Sequence, residues 1–208
     1  LVINPSASAD IGTNSTIANN LPEKTAAGTF VSTTTEQTIA LGQVLGKLLQ
    51  AGDVLVLTGD LGAGKTQLTK GIAAGMGVTD DVTSPTFTIE MVYEGTTMPL
   101  YHFDLYRLND SSQLDDIGLF DAMESDGPTV IEWGEQFADD IGDDRADVFI
   151  SRLDGAGDAN ATDAATSDLG EGTGDISATS AEPLREIRFV AHNKRGQELI
   201  ERLVLFLH

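Results

Sequence analysis

Apolar side chains in this chain recur with two different periods, and the way the periods alternate lays out an α/β domain. Thr33-Thr34-Thr35-Glu36 is a capping-box pattern, with threonine at the cap and glutamate three residues on. After it, Ile39, Leu41, Val44, Leu45, Leu48 and Leu49 follow helical spacing until Gly52 stops the run. Val54-Leu55-Val56-Leu57 is apolar without a break, as expected of a strand buried on both faces of a parallel sheet. A second helix is predicted over 65–76, closed by Gly75-Met76-Gly77. β-prone runs at 29–32, 87–93, 100–104, 129–133, 148–153 and 186–191 supply the remaining strands. A last amphipathic helix over about 194–207 places Leu199, Ile200, Leu203, Val204 and Leu207 on its inner face. The pattern predicts a central, mostly parallel sheet flanked by helices, with an antiparallel strand pair at the C-terminal end.

Two segments have no such period. Residues 1–28 are rich in Ala, Ser, Thr and Asn and read as a flexible tail with little to bury. Asp154 to Glu182 carries seven acidic residues, no basic ones and five glycines, which cannot build a core. Flanked by β-prone runs, it reads as an acidic low-complexity loop inserted between two neighbouring strands, since loop-closure entropy grows only slowly with length. One domain over 29–208 is the expectation.

Charge narrows the functions. Against 33 acidic side chains stand 12 basic ones, a formal −21, which repels a polyphosphate backbone over most of the surface and disfavours direct binding to nucleic acid. The absence of cysteine excludes disulfides, thiolate catalysis and cysteine-held zinc. His102, His192 and His208 are too scattered to suggest a metal cluster. No stretch approaches the roughly 20 apolar residues that span a bilayer, and the first residues lack a basic-then-apolar leader. A soluble, cytoplasmic chain without membrane contact is expected.

The chemistry concentrates in Gly59-Asp60-Leu61-Gly62-Ala63-Gly64-Lys65-Thr66, a full match to G-x-x-x-x-G-K-[ST] between an expected strand and an expected helix. Glycines let the backbone curl so that successive N–H groups face phosphate oxygens. Lys65 adds a cation for the β- and γ-phosphates, Thr66 a hydroxyl for magnesium, and the helix that follows aims its positive end at the same anions. A P-loop NTPase fold, with a nucleotide and Mg2+ as its ligands, follows from that context.

Acids to complete the metal site belong at the carboxyl ends of neighbouring strands. Asp104, ending Leu100-Tyr101-His102-Phe103, and Glu132, ending Thr129-Val130-Ile131, both fit, as ligands of the metal or holders of the attacking water. Trp133, the single tryptophan, follows Glu132 and reads either as a core or helix-packing aromatic or as a residue near the nucleotide. Ser84-Pro85-Thr86-Phe87 reads as a turn into a strand, placed where γ-phosphate-sensing switches occur.

ATP is favoured over GTP. Guanine recognition relies on Asn-Lys-x-Asp, and here Asn193-Lys194-Arg195 is followed by Gly196, without the acid that reads guanine's N–H groups. A small-molecule kinase would need an Arg-rich lid, and arginine is scarce. A nonenzymatic, nucleotide-dependent interaction module differs little in sequence and is separated from an ATPase by kinetics.

Taken together, Gly59 to Thr66, Gly71-Ile72, Gly75-Met76-Gly77, Ser84-Pro85-Thr86-Phe87-Thr88, His102-Phe103-Asp104-Leu105-Tyr106-Arg107-Leu108 and Ile131-Glu132-Trp133-Gly134-Glu135 resemble the bacterial TsaE (YjeE) type of ATPase. The resemblance spans roughly 29–153 and, more loosely, 185–208. It implies an ATPase, weak alone, that works with a threonylcarbamoyl-transferase subunit and its paralogous scaffold subunit (TsaD and TsaB types). Their product is N6-threonylcarbamoyladenosine at position 37 of tRNAs reading codons that start with A, with tRNA met only indirectly. Carried over by position, Leu61, Gly62, Ala63, Gly64, Lys65 and Thr66 line the phosphates, Thr66 and Glu132 bind magnesium, and Asp104 is a Walker-B-like acid. Lys65, Asp104 and Glu132 form the implied catalytic set, with Thr35 and Trp133 beside the nucleotide. The acidic insertion and the N-terminal tail depart from that family's pattern.

Overall fold

The computed structural model describes residues 20–153 and 182–206. At its centre Val54–Thr58 (β3) lies between Thr129–Glu132 (β6) and Ala146–Arg152 (β7), parallel to both, and Leu100–Asp104 (β5) runs parallel to β6 on its far side. Antiparallel strands extend this core at both edges. Glu90–Tyr93 (β4) borders β5, while Arg185–Ala191 (β8), Thr29–Ser32 (β2) and Glu23–Ala26 (β1) follow β7 in turn. The expected C-terminal pair, β7 with β8, is present, and the antiparallel region reaches further than that pair.

Register brings the expected acids level. Leu57 pairs with Glu132 and Glu132 with Asp104, so three parallel strands end together beside the loop that leaves β3.

The unbroken apolar run of β3 divides its side chains by alternation. Leu55 and Leu57 join Val130 in a core with Leu41, Leu45, Leu68, Ile72, Leu199 and Leu203, from helices α1 (Thr35–Gly46), α2 (Lys65–Gly75) and α6 (Lys194–Phe206). Val54 and Val56 join Ile131 and Phe103 on the other face. There the short helices α3 (Gln113–Asp116), α4 (Leu119–Met123) and α5 (Ala138–Ile141) contribute Leu114, Leu119 and Ile141. Each such fully buried side chain contributes roughly 1.5–3 kcal/mol, so β3 is fixed from both sides.

Helices α1 and α2 touch backbone to backbone. Gly42 and Gly46 face Gly71 and Gly75. A Cβ on Gly42 would stand 2.9 Å from the Gly71 Cα, and one on Gly46, Gly71 or Gly75 would meet the carbonyl oxygen of Ile72, Ile39 or Gln43. Small residues at four-residue spacing on both helices therefore fix the approach of α2, the helix that begins at Lys65.

Several boundaries differ from the sequence expectation. The cap of α1 is Thr34, which accepts from the Gln37 N–H at 3.2 Å, while Gln37 Oε1 accepts from the Thr33 N–H at 2.7 Å. Glutamine thus replaces Glu36 as the reciprocal partner, one residue on. Helix α1 ends at Gly46; Leu48 and Leu49 are buried in the turn that follows, and Gly52, at φ +79°, leads into β3. The strand expected at 87–93 starts only at Glu90, because Ser84 and Thr86 are held by Asp104. Trp133 leaves β6 with φ +61°. The tail expected over 1–28 is shortened, since β1 pairs with β2; residues 1–19, the insertion up to 181, Leu207 and His208 lie outside the described residues. Among the described residues no helix is long and apolar enough to cross a membrane.

Candidate functional site

The loop between β3 and α2 opens onto a cleft of about 360 Å³. Thr35, Leu61, Gly62, Gly64, Lys65, Thr66, Asp104, Glu132 and Trp133, all singled out in the sequence, line it, with Gln67, Ser84, Thr86 and Arg185. Ala63 is the exception among the expected residues. It is buried, gives its N–H to Asp60 O at 3.1 Å and accepts Arg185 Nε at its carbonyl at 3.1 Å, so it shapes the loop. A larger cavity of about 550 Å³ opens at the amino ends of β3 and β7, beside the Asp53–Arg195 ion pair, and contains no P-loop residue.

The loop is built by positive-φ glycines, with Gly62 at +73° and Gly64 at +121°. Side chains there would be strained. Two arginines from outside the loop hold its carbonyls: Arg152 from β7 donates to Gly62 O at 2.8 Å and Arg185 from β8 to Ala63 O. Since C=O and N–H of a trans peptide point opposite ways, the Ala63 carbonyl bond turns the Gly64 N–H away from Arg185 Nε.

Lys65 is almost fully buried. Its ammonium donates to Gly59 O at 2.5 Å and Asp60 O at 3.1 Å, and stands 3.6 Å from the Trp133 ring centroid. The left-handed backbone at Trp133 belongs to the turn that places this indole. A non-glycine residue at such a φ is uncommon and tends to occur at functional sites. Burial lowers the Lys65 pKa below the ordinary lysine value, while the charges of Glu132, Glu135, Asp104 and Asp60 pull it back up.

Glu132 is 2% exposed and joins three elements. Thr66 Oγ1 lies 3.0 and 3.1 Å from its two carboxylate oxygens, and His102 Nε2 is 3.0 Å from Oε1. A hydroxyl beside a carboxylate is the hard-oxygen set that Mg2+ takes from a protein when phosphates and waters complete its octahedron. Among the described residues no group of three or more His, Cys, Asp or Glu could hold a cation alone. The pair therefore fits Mg2+ arriving with a nucleotide better than a resident ion.

Asp104 is equally buried but faces another way. Its Oδ2 accepts from Ser84 Oγ at 2.6 Å and Thr86 Oγ1 at 2.7 Å, its Oδ1 from the Tyr106 N–H at 3.0 Å. It ties the Ser84–Thr86 loop to the end of β5. Thr35, at the start of α1, gives its N–H and hydroxyl to Glu182 Oε2 at 2.6 and 2.7 Å.

A family model described as threonylcarbamoyl adenosine biosynthesis protein TsaE matches residues 32–159. The chain belongs to the TsaE family. The TsaE match takes in the P-loop, Asp104, Glu132 and Trp133, and stops before β8 and Arg185. Proteins named tRNA threonylcarbamoyladenosine biosynthesis protein TsaE are similar to more than half of this chain. That of Bacillus subtilis is 42% identical over 117 residues, 56% of this chain and 73% of the relative. That of Treponema pallidum is 45% identical over 111 residues, 53% and 82%. That of Streptomyces coelicolor is 46% identical over 118 residues, 55% and 79%. The crystal structure of Bacillus subtilis YdiB superposes with a TM-score of 0.62 at 31% identity, covering 85% of this chain and 93% of that one. The P-loop NTPase fold expected from the sequence is thus the fold of this TsaE family member.

Sequence reading missed His102, Arg152, Arg185 and Glu182. For His102 a signal existed: it sits two residues before Asp104 in a strand and so shares its face. The arginines and Glu182 lie more than 80 residues from the loop or helix they bind, and nothing local announces those contacts.

Proposed function

We propose that this chain hydrolyses ATP in the cytoplasm as the ATPase component of N6-threonylcarbamoyladenosine formation on tRNAs that read codons starting with A. It acts with the transferase and scaffold subunits of the TsaD and TsaB types, and it meets tRNA only through them. The observation that carries the reading is the convergence of Lys65, Thr66 and Glu132 at the mouth of a glycine-built loop. Loop N–H groups and the Lys65 ammonium neutralise the phosphate tail, and the start of α2 points its positive end at it.

Thr66 and Glu132 would hold a magnesium ion brought with the nucleotide, and the ion would supply charge neutralisation to the phosphates. Asp104 fixes Ser84 and Thr86 at the cleft wall, where they orient the reacting water, and Trp133 and Thr35 lie against the nucleotide. Leu61 in the cleft lining, Phe87 next to Thr86, and Tyr106, whose ring lies 5.1 Å from that of Trp133, are 84%, 86% and 60% exposed, and this apolar surface supports completion of the site by a protein partner. A partner that orders the reacting water raises turnover, because a free chain bears that ordering cost itself.

The test is reconstitution of the tRNA modification with and without this chain, comparing single with multiple rounds. A gain confined to multiple rounds, lost with Lys65→Ala, supports an ATPase that resets its partners. No effect in either regime leaves a generic nucleotide-binding protein.

A further inference from the structure

His102 has no role in the chemistry above, yet it abuts the central carboxylate of the site. It is the third residue of β5 and completely buried. It does not line the cleft. Its Nε2 is 3.0 Å from Glu132 Oε1, whereas Nδ1 is buried with no hydrogen-bond partner. The Tyr93 ring lies beside it, centroids 6.3 Å apart.

An ionised carboxylate only accepts, so the imidazole hydrogen in this contact is on Nε2. Nδ1 is then left without a partner in a dry environment, an arrangement that carries a cost. An apolar residue at this place would avoid it. Packing alone therefore does not account for a histidine, and the bond to Glu132 does.

Glu132 is held from two sides. On the open side Thr66 bonds both carboxylate oxygens, but Thr66 is itself offered to the cation. On the closed side His102, which is not part of the cleft lining, bonds Oε1. Of the two donors, His102 is the one not offered to the cation.

We propose that His102 is a positioning residue that orients the Glu132 carboxylate for magnesium through its Nε2–H. The inference rests on reading the cleft as a Mg·ATP site, and its test separates the two. ATP affinity is measured by calorimetry in EDTA and across a magnesium series for the full chain and for His102→Leu, His102→Asn and His102→Gln. Leucine removes the donor, asparagine carries an N–H too short to reach Oε1, and glutamine restores an N–H at the reach of Nε2.

The Mg2+ concentration for half-maximal effect should rise about 10- to 100-fold in the leucine and asparagine variants, with metal-free ATP affinity within about twofold of the parent and glutamine recovering most of the loss. Should leucine not fold, asparagine and glutamine give the same comparison. A parental magnesium requirement in folded His102→Asn, or an equal loss of metal-free binding, overturns the positioning role and leaves a core histidine. A parent chain whose ATP affinity ignores magnesium overturns the site reading instead.

Discussion

Thr66 and Glu132, 66 residues apart in sequence, are joined by a hydroxyl that spans both oxygens of one carboxylate at 3.0 and 3.1 Å. The bond exists because β6 lies directly beside β3, in register at Leu57 and Glu132, while Thr66 opens the helix that leaves β3. If this pair holds magnesium, Glu132→Gln removes the charge while keeping the size. Phosphate release should then fall about a hundredfold or more, corresponding to several kcal/mol of charge stabilisation. Thr66→Ala should act in the same direction. Measuring phosphate release at rising magnesium concentration checks both, and parental rates in either variant would remove that residue from the metal site.

The Lys65 ammonium rests 3.6 Å from the Trp133 ring centroid. A cation over an indole is attracted by the ring's negative face, and a triphosphate competes for the same charge. ATP binding should therefore change the emission of the single tryptophan, and Lys65→Ala should abolish that change and weaken binding. A fluorescence titration reads it directly; a parental response in the alanine variant would separate the indole from the phosphate site.

These two contacts show what local sequence could and could not reveal. The P-loop, the buried strand Val54 to Leu57 and the acids at the ends of β5 and β6 were legible, because each depends on residue types at fixed spacing or on a two-residue period. β1 was not. Glu23-Lys24-Thr25-Ala26 has no apolar alternation and is a strand only because β2 offers it an edge. Of the paired glycines of α1 and α2, Gly75 reads as a helix stop and Gly71 only as part of a family motif, and their packing role arises only when the two helices touch. His102 and Arg185 gain their roles from sheet neighbours far away in the chain.

Asp104 accepts from Ser84 and Thr86 on one oxygen. Removing it frees a wall of the cleft without touching the loop that holds phosphates. Asp104→Ala should lower hydrolysis about a hundredfold, the cost of small misplacement of reacting groups, while ATP affinity shifts by less than about threefold. Parallel loss of both would mean that Asp104 supports binding generally. Ser84→Ala and Thr86→Ala should each give part of the effect.

Gly71 packs against Ile39 and Gly42. A methyl group at this place has no room unless α1 moves from α2, an overpacking cost of about 2–3 kcal/mol. Gly71→Ala should melt roughly 4–12 °C lower for a chain of this size. An unchanged melting temperature would show that the helices can separate freely, and with it that α2 is not held by this contact.

Glu182 occupies two donors that the cleft could otherwise use. Its Oε2 accepts the N–H and hydroxyl of Thr35 and stands 3.6 Å from Arg185 Nη1. Hydrogen bonds from Thr35 come first among the causes that lower its carboxyl pKa, with Arg185 adding to them, so the group is held as an anion beside the cleft. Two consequences of removing it pull apart. The carboxylate caps the first turn of α1, so Glu182→Ala should lower the melting temperature slightly. It also places negative charge next to residues that line the nucleotide cleft, so the same change should tighten ATP binding, by about twofold to fivefold for one partly screened charge. Calorimetry and thermal melting on the same variant resolve the two. Weaker binding together with lower stability would show that Glu182 serves the site by holding Thr35 in place, and stronger binding despite lower stability that its anion competes with the nucleotide.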